Sequence, residues 1–407
     1  MLKNCILVIA SVLGCILLCE GLFRVYEDTF LSDSYNPKGP VIDLEALNYN
    51  DSKIARKKPA GQFRILSFGD SFCYSVVRYP SSYHGIAAAI LDKTFPGQTF
   101  RLVNFGEPST SFYQYIQAVN TWTNLVDFDA VVVNVFLGND IAEVGLNIIP
   151  DDLPLNKVSR DRFINLQTGR KRRNAVPHAF GLRIFDYAYA YIQMYFQGDY
   201  AKKTVPEPYT FALGRLPEDV YYKNARQHLL AGEPSQCATL ARGWQGLADL
   251  ARRLDKLARD RGVKVAIMLS PSEAMVYDAV RQATAARYHL DADRIEPDLP
   301  DRLARRVVAM VAPDVPVLDL LPIFRCAAAR GDKEYNVSET HWNVDGNRLA
   351  GQALARFLAQ TWLHGDVPGL PETEPCLTAL PETPLLHAPD PTADACLSAI
   401  TARYPLK

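Results

Sequence analysis

The sequence predicts a doubly wound α/β domain on a parallel sheet, interrupted by a large insertion and followed by a Pro-rich C-terminal tail. Two observations carry this. Short, continuous apolar runs recur at 63–68, 100–104, 129–136, 263–269 and 315–320, as expected of strands buried on both faces of a parallel sheet. Helix-like stretches separate them at 83–95, 112–125 and 240–257. The resulting order is β-α-β-α-β, a long gap, then α-β-α-β-α, the alternation that winds helices over both faces of one sheet.

Taken in order, the chain opens on an apolar segment. Residues 5–19 carry no charge, and Leu22-Phe23 extend the run past Glu20-Gly21. A spanning helix needs about 20 apolar residues, and a cleaved leader has a core of roughly 7–15 ending at small residues. Because Ile16-Leu17-Leu18 continue the run beyond Val12-Leu13-Gly14-Cys15, an uncleaved signal anchor or transmembrane helix over 1–25 is expected. The body would then lie outside the cytoplasm, in a periplasm or at a cell surface.

The α/β domain is expected over 60–363. Its first strand, 63–68, leads into Gly69-Asp70-Ser71-Phe72, and its second follows the turn at Pro96-Gly97. The third, 129–136, is the strongest, because Val131-Val132-Val133 are both apolar and β-branched. Leu240, Trp244, Leu247, Leu250, Leu254 and Leu257 then share one helical face, and Gly262 stops that helix before the fourth strand. Leu354, Phe357, Leu358 and Trp362 mark a closing helix. Residues 141–237 carry few strand signals and cluster aromatics such as Tyr187, Tyr189, Tyr191, Tyr195 and Phe196, which suits an insertion or lid. The tail, 364–407, holds 8 of the 27 prolines and is expected as an extended strap.

Composition bounds the function. With 48% hydrophobic and 22% charged among 407 residues, the chain is globular rather than disordered. Lys+Arg 44 against Asp+Glu 45 leaves a net charge of -1, so no global basic field exists to hold a nucleic acid. A mean hydropathy of -0.08 excludes a polytopic membrane protein. Of eight cysteines, Cys73, Cys237, Cys326, Cys376 and Cys396 lie in the body, so at least one there is free. An exported protein could join Cys376 to Cys396 within the tail. No His/Cys cluster has zinc-ligand spacing, so neither a metal nor a cofactor is expected.

In parallel sheets, ligands bind at the carboxyl ends of the strands. Three turn motifs stand there: Gly69-Asp70-Ser71-Phe72, Asn104-Phe105-Gly106 and Gly138-Asn139-Asp140, with Glu339-Thr340-His341-Trp342-Asn343 just before the closing helix. A serine hydroxyl needs a neighbouring imidazole to take its proton, and the imidazole needs an acceptor for its other N–H. The developing oxyanion needs pre-placed donors. Ser71, His341 and Glu339 meet the first two needs. The N–H groups of Ser71 and Gly106 and the amide of Asn139 would meet the third. Each also has a plainer reading: Ser71 or Asn139 as a helix cap, Gly106 as a turn glycine, Trp342 and Cys73 as packing residues, Arg170-Lys171-Arg172-Arg173 as a solvated turn.

Ser71, Gly106, Asn139 and His341, in that order, resemble the four motif residues of the SGNH or GDSL hydrolase superfamily. The resemblance covers about 60–140 and 239–363, and implies a flavodoxin-like fold, a nucleophilic Ser71, oxyanion donors at Gly106 and Asn139, and a catalytic His341. Many members carry an Asp three residues before the His, where this chain has Ser338. The acid here is Glu339, two residues before, and the acid-x-His-Trp pattern is similar to alginate-type O-acetyltransferases.

These readings lead to a serine esterase acting through an acyl-enzyme on Ser71, its substrate an acylated glycan, lipid or small molecule. One alternative is an O-acyltransferase of a cell-envelope polysaccharide, supplied by a membrane acyl-transfer partner. The other is a non-catalytic envelope binding protein with the same fold.

Overall fold

Five apolar runs become the five strands of one sheet: β1 (Gln62–Gly69), β2 (Thr99–Gly106), β3 (Ala130–Phe136), β4 (Lys264–Ser270) and β5 (Val317–Asp319). In this computed structural model the described residues are 2–26, 40–45, 47, 49–148, 208–210, 216–370, 374–379 and 389–406. Every pairing in the sheet is parallel, in the spatial order β2-β1-β3-β4-β5. This is the flavodoxin-like order, whose switch point lies at β1 and β3. The register matters for the site: Gly69 pairs with Gly106, so the first two motifs emerge side by side.

The strands carry apolar side chains on both faces, and Ile65, Leu66, Phe68, Val131, Val132, Val133 and Ile267 are all buried. After β1 come α2 (Ser71–Tyr74) and α3 (Tyr83–Thr94); α4 (Phe112–Leu125) precedes β3, and α5 (Asp140–Gly145) follows it. The chain resumes with α6 (Glu218–Leu229) and α7 (Ala241–Arg261), then, beyond β4, α8 (Glu273–Val276), α9 (Asp278–Tyr288) and α10 (Leu299–Val311). After β5 come α11 (Leu321–Ala329) and α12 (Val344–Trp362). Right-handed crossovers require α3 on one face and α4, α7 and α10 on the other. The packing agrees, with α3 against α12 and α7 against α4 and α10.

The chain divides into two compact units, the larger formed by Tyr49–Asp51, Lys57–Leu153 and Val205–Lys407. The smaller unit contains α1 (Leu2–Tyr26) and an antiparallel pair, Val41–Ile42 with Ile54–Ala55. The N-terminal apolar run is thus helical, with Leu7, Val8, Val12, Leu13, Leu17, Leu18 and Leu22 exposed. No helix among the described residues is long and apolar enough to cross a membrane. Of the expected insertion, 149–207 and 211–215 lie outside the described residues, and the basic run at 170–173 falls there.

The tail departs from expectation twice. It contains a helix, α13 (Pro391–Arg403), started by Asp390, whose side chain caps the Ala393 N–H at 3.0 Å, and by Pro391 in the first turn. Its cysteines do not pair with each other. Cys396 is bonded to Cys237 and Cys376 to Cys326, leaving Cys73 free and buried. Each tail cysteine is thereby tied to the α/β domain rather than to its neighbour in sequence.

Candidate active site

The nucleophile turn forms where β1 ends. Gly69 has φ of +155°, and a Cβ there would lie 2.6 Å from the Asn134 carbonyl oxygen, so only glycine fits. Asp70 then caps α2, accepting the Phe72 N–H at 2.8 Å. Ser71 is the first residue of that helix, at the carboxyl edge of the sheet.

His341 is brought to Ser71 across 270 residues, its Nε2 lying 2.8 Å from Ser71 Oγ. Its Nδ1 lies 2.8 Å from Glu339 Oε1, and Glu339 Oε2 accepts the His341 backbone N–H at 3.2 Å. The acid two residues before the histidine therefore folds back on it. Asn336 makes that tight turn possible: its Nδ2 donates to the carbonyls of His341 and Trp342, and its N–H to the His341 carbonyl. Ser338, at the position where many SGNH members carry an Asp, sits in the left-handed region with φ of 55°. Burial opposes a charge on His341, but Glu339, through its charge and its hydrogen bond, and Asp70 outweigh it and raise the imidazole pKa above its ordinary value.

Asn139 stands at the start of α5, immediately after β3, and its side chain makes no cap bond to the backbone. Gly106 pairs with Gly69, and a Cβ on it would overlap the Tyr74 backbone nitrogen, so α2 can pack on β2 only over a glycine. Its N–H donates to Asn104 Oδ1 at 2.8 Å, while Asn104 Nδ2 donates to the Tyr74 carbonyl at 3.0 Å. An oxyanion role for Gly106 would therefore use an N–H already engaged by Asn104.

Three carboxyl groups lie close behind these donors. Burial pushes Asp70 up to about 6, against the pull of the Phe72 N–H and His341. Asp140 accepts the Tyr115 hydroxyl at 2.9 Å and the Phe136 N–H at 3.0 Å, and burial, Asp70 and Glu143 raise its pKa well above the carboxylate range. Glu143 is raised to about 7 by burial and by Asp70.

Several residues reach the site that sequence patterns did not single out for it. On α6, the ring of His228 stands 5.1 Å from Phe136, edge to face, and burial with the nearby His341 charge pushes its pKa down to about 3. Tyr221 donates to Glu273 Oε2 at 2.7 Å, next to Glu339. Only Glu143, four residues after Asn139 on a helix, left a readable spacing. His84 is a satisfied core histidine, 3.0 Å from Ser67 Oγ. Trp342 is 2% exposed and packs on Phe72 and Phe324, so it supports His341 from behind rather than facing solvent. Among the described residues no His/Cys/Asp/Glu group is arranged to hold a metal ion.

Residues 226–386 match the family model of the SGNH hydrolase-like domain, acetyltransferase AlgX. That stretch of the chain is SGNH hydrolase-like. The match includes Glu339 and His341 and stops short of Ser71, Gly106 and Asn139. No curated protein matches. Among solved structures, a two-domain esterase active on acetylated mannans is 12% identical, with a TM-score of 0.34, over 75% of this chain and 52% of that one. The chain thus spans about half the length of that esterase. A lipolytic G-D-S-L family member from Veillonella parvula is 14% identical, TM-score 0.31, covering 74% of this chain and 98% of that one. An acetylxylan esterase from Geobacillus stearothermophilus is 12% identical, TM-score 0.32, over 73% and 93%. The parallel sheet and the loop before α12 bring Ser71, His341 and Glu339 together at one sheet edge.

Proposed function

We propose that the protein is a serine esterase that cleaves an acyl ester of a glycan or lipid through an acyl-enzyme on Ser71. The observation that carries this reading is the chain of two 2.8 Å contacts, Ser71 Oγ to His341 Nε2 and His341 Nδ1 to Glu339. Ser71 Oγ attacks the ester carbonyl as His341 Nε2 takes its proton, and Glu339 stabilises the imidazolium. The Ser71 N–H and the Asn139 amide face the developing oxyanion. Collapse of the tetrahedral intermediate breaks the ester C–O bond, and His341 returns the proton to the departing alcohol. Water, deprotonated by His341, then attacks the acyl-enzyme; the bond from the acyl carbon to Ser71 Oγ breaks, His341 returns the proton to Oγ, and the acid is released.

A second reading passes the acyl group to a sugar hydroxyl instead, as an O-acyltransferase of envelope polysaccharide. The match of 226–386 to a domain described as an acetyltransferase favours it. The intact Ser71–His341–Glu339 contacts weigh against a non-catalytic binding protein. Turnover of p-nitrophenyl acetate, with and without soluble glycan acceptors and beside Ser71→Ala, separates the readings. Ser71-dependent release of acetate whatever acceptor is present supports the esterase. Acetyl recovered on the sugar supports the transferase, and equal rates for wild type and Ser71→Ala overturn both.

We also propose an extracytoplasmic, membrane-anchored location. It is supported by the uncharged apolar run over 5–19 and by two disulfides, which persist in oxidising compartments.

A further inference from the structure

Asn139 and Glu143 present an unusual pair. The Asn139 side-chain amide hydrogen-bonds to Glu143, and so does the side chain of Gln227 from α6. Yet Asn139 Oδ1 and Glu143 Oε2 are both buried acceptors that find no donor among the described residues. Leaving two buried acceptors orphaned on side chains already bonded to each other is unfavourable. A single proton on Glu143 removes the difficulty. Its O–H donates to Asn139 Oδ1, while its other oxygen accepts from Asn139 Nδ2, closing a two-bond ring.

We propose that Glu143 is a positioning residue that carries a proton and holds the Asn139 amide in such a carboxylic acid–amide pair. The second Nδ2 hydrogen is then left to point at the reacting carbonyl. This rests on the esterase reading for its role in the reaction, though the pair itself does not.

The surroundings favour the protonated form. The titratable groups facing Glu143 are Asp70 from the nucleophile turn, Asp140 on its own helix and Tyr115 on α4. From α6, Gln227 bonds to Glu143, while burial keeps the His228 imidazole neutral. On α7, Arg242 is bonded to Asn147 Oδ1 at 2.8 Å. Burial and Asp70 raise Glu143 to about 7. A neutral acid beside the oxyanion donor also avoids placing a fixed negative charge where negative charge develops.

Glutamine is the neutral isostere of the protonated acid: its amide can give one N–H and accept another at the same positions. In the full chain, Glu143→Ala is expected to lower kcat for p-nitrophenyl acetate by about 10- to 100-fold with little change in KM, since losing one oxyanion donor outright costs 10²–10³. Glu143→Gln is expected to keep kcat within about threefold, and it keeps the test readable should the alanine variant not fold. Wild-type kcat should fall as pH rises through about 7, whereas Glu143→Gln loses that alkaline limb and keeps the acid limb set by His341. Glu143→Gln as impaired as Glu143→Ala, or an alkaline limb unchanged in Glu143→Gln, would overturn the proposal. A second readout needs no turnover: an infrared difference spectrum, wild type minus Glu143→Gln, should show a protonated-carboxyl band at about pH 6 that fades by about pH 9. Absence of the band overturns the acid–amide pair. Its presence in a protein lacking Ser71-dependent turnover supports the pair and overturns the esterase reading alone.

Discussion

At the scale of single residues, the site depends on what each group does for its neighbour. Glu339 holds the Nδ1 side of His341, and an amide in its place cannot stabilise the imidazolium. Glu339→Gln should lower kcat by about 10³–10⁴ with KM little changed, read from initial rates on an activated ester. The proposed mechanism needs neutral His341, and its pKa is raised, so the rate should fall as pH drops through a value above the ordinary imidazole range. An acid limb at or below about 6.5 would show that Glu339 and Asp70 do not outweigh burial. Gly106 carries a steric prediction: Gly106→Ala pushes a methyl into the Tyr74 amide, and the change should cost about 1–3 kcal/mol in denaturant unfolding. Ser71 and Asn139 could be placed at strand ends because turn chemistry is local, and Glu339 beside His341 because the two stand two residues apart. The engagement of the Gly106 N–H by Asn104 was not, since Asn104 reads only as the last polar residue of a strand.

At the scale of elements, the strands and the helices facing them follow the apolar pattern within a residue or two at most ends. The tail does not. Residues 391–403, expected within an extended strap, form α13, whose short apolar stripe of Ala393, Cys396 and Ile400 is buried and tied to Cys237 by a disulfide. Non-reducing peptide mapping should recover Cys237 with Cys396 and Cys326 with Cys376. Cys396→Ser is expected to cost about 2–4 kcal/mol, because the bond closes a loop of 159 residues in the unfolded chain. The contact between α10 and β5 makes a second prediction. Asp301 is 1% exposed, and burial with the adjacent Asp319 raises its pKa well above the carboxylate range. The folded state therefore binds a proton that the unfolded state releases, so this group's contribution to stability falls as pH rises above about 3.9. Asp301→Asn, which keeps a donor toward Asp319, should flatten the decline of the melting temperature with pH; an unchanged slope would assign that decline to other groups.

At the scale of the whole molecule, the anchor proposal is the one to test directly. Full-length protein should sediment with membranes and resist alkaline extraction, while a chain starting near Tyr26 should be released with its esterase activity intact. Equal release of both would leave α1 without an anchoring role. The sequence alone determined the sheet, its order of alternation and the turns that bear reactive groups. Those follow from the local period of apolar residues and from Gly, Asp, Ser and Asn at strand ends. The tertiary structure decided which cysteines meet, which residue holds the His341 loop, and that Gln227, after the long gap, shares Glu143 with Asn139. These choices depend on distances between side chains far apart in sequence, such as the 270 residues separating Ser71 from His341. Local patterning carries no record of such distances; burial and hydrogen bonding set them only once the chain has closed on itself.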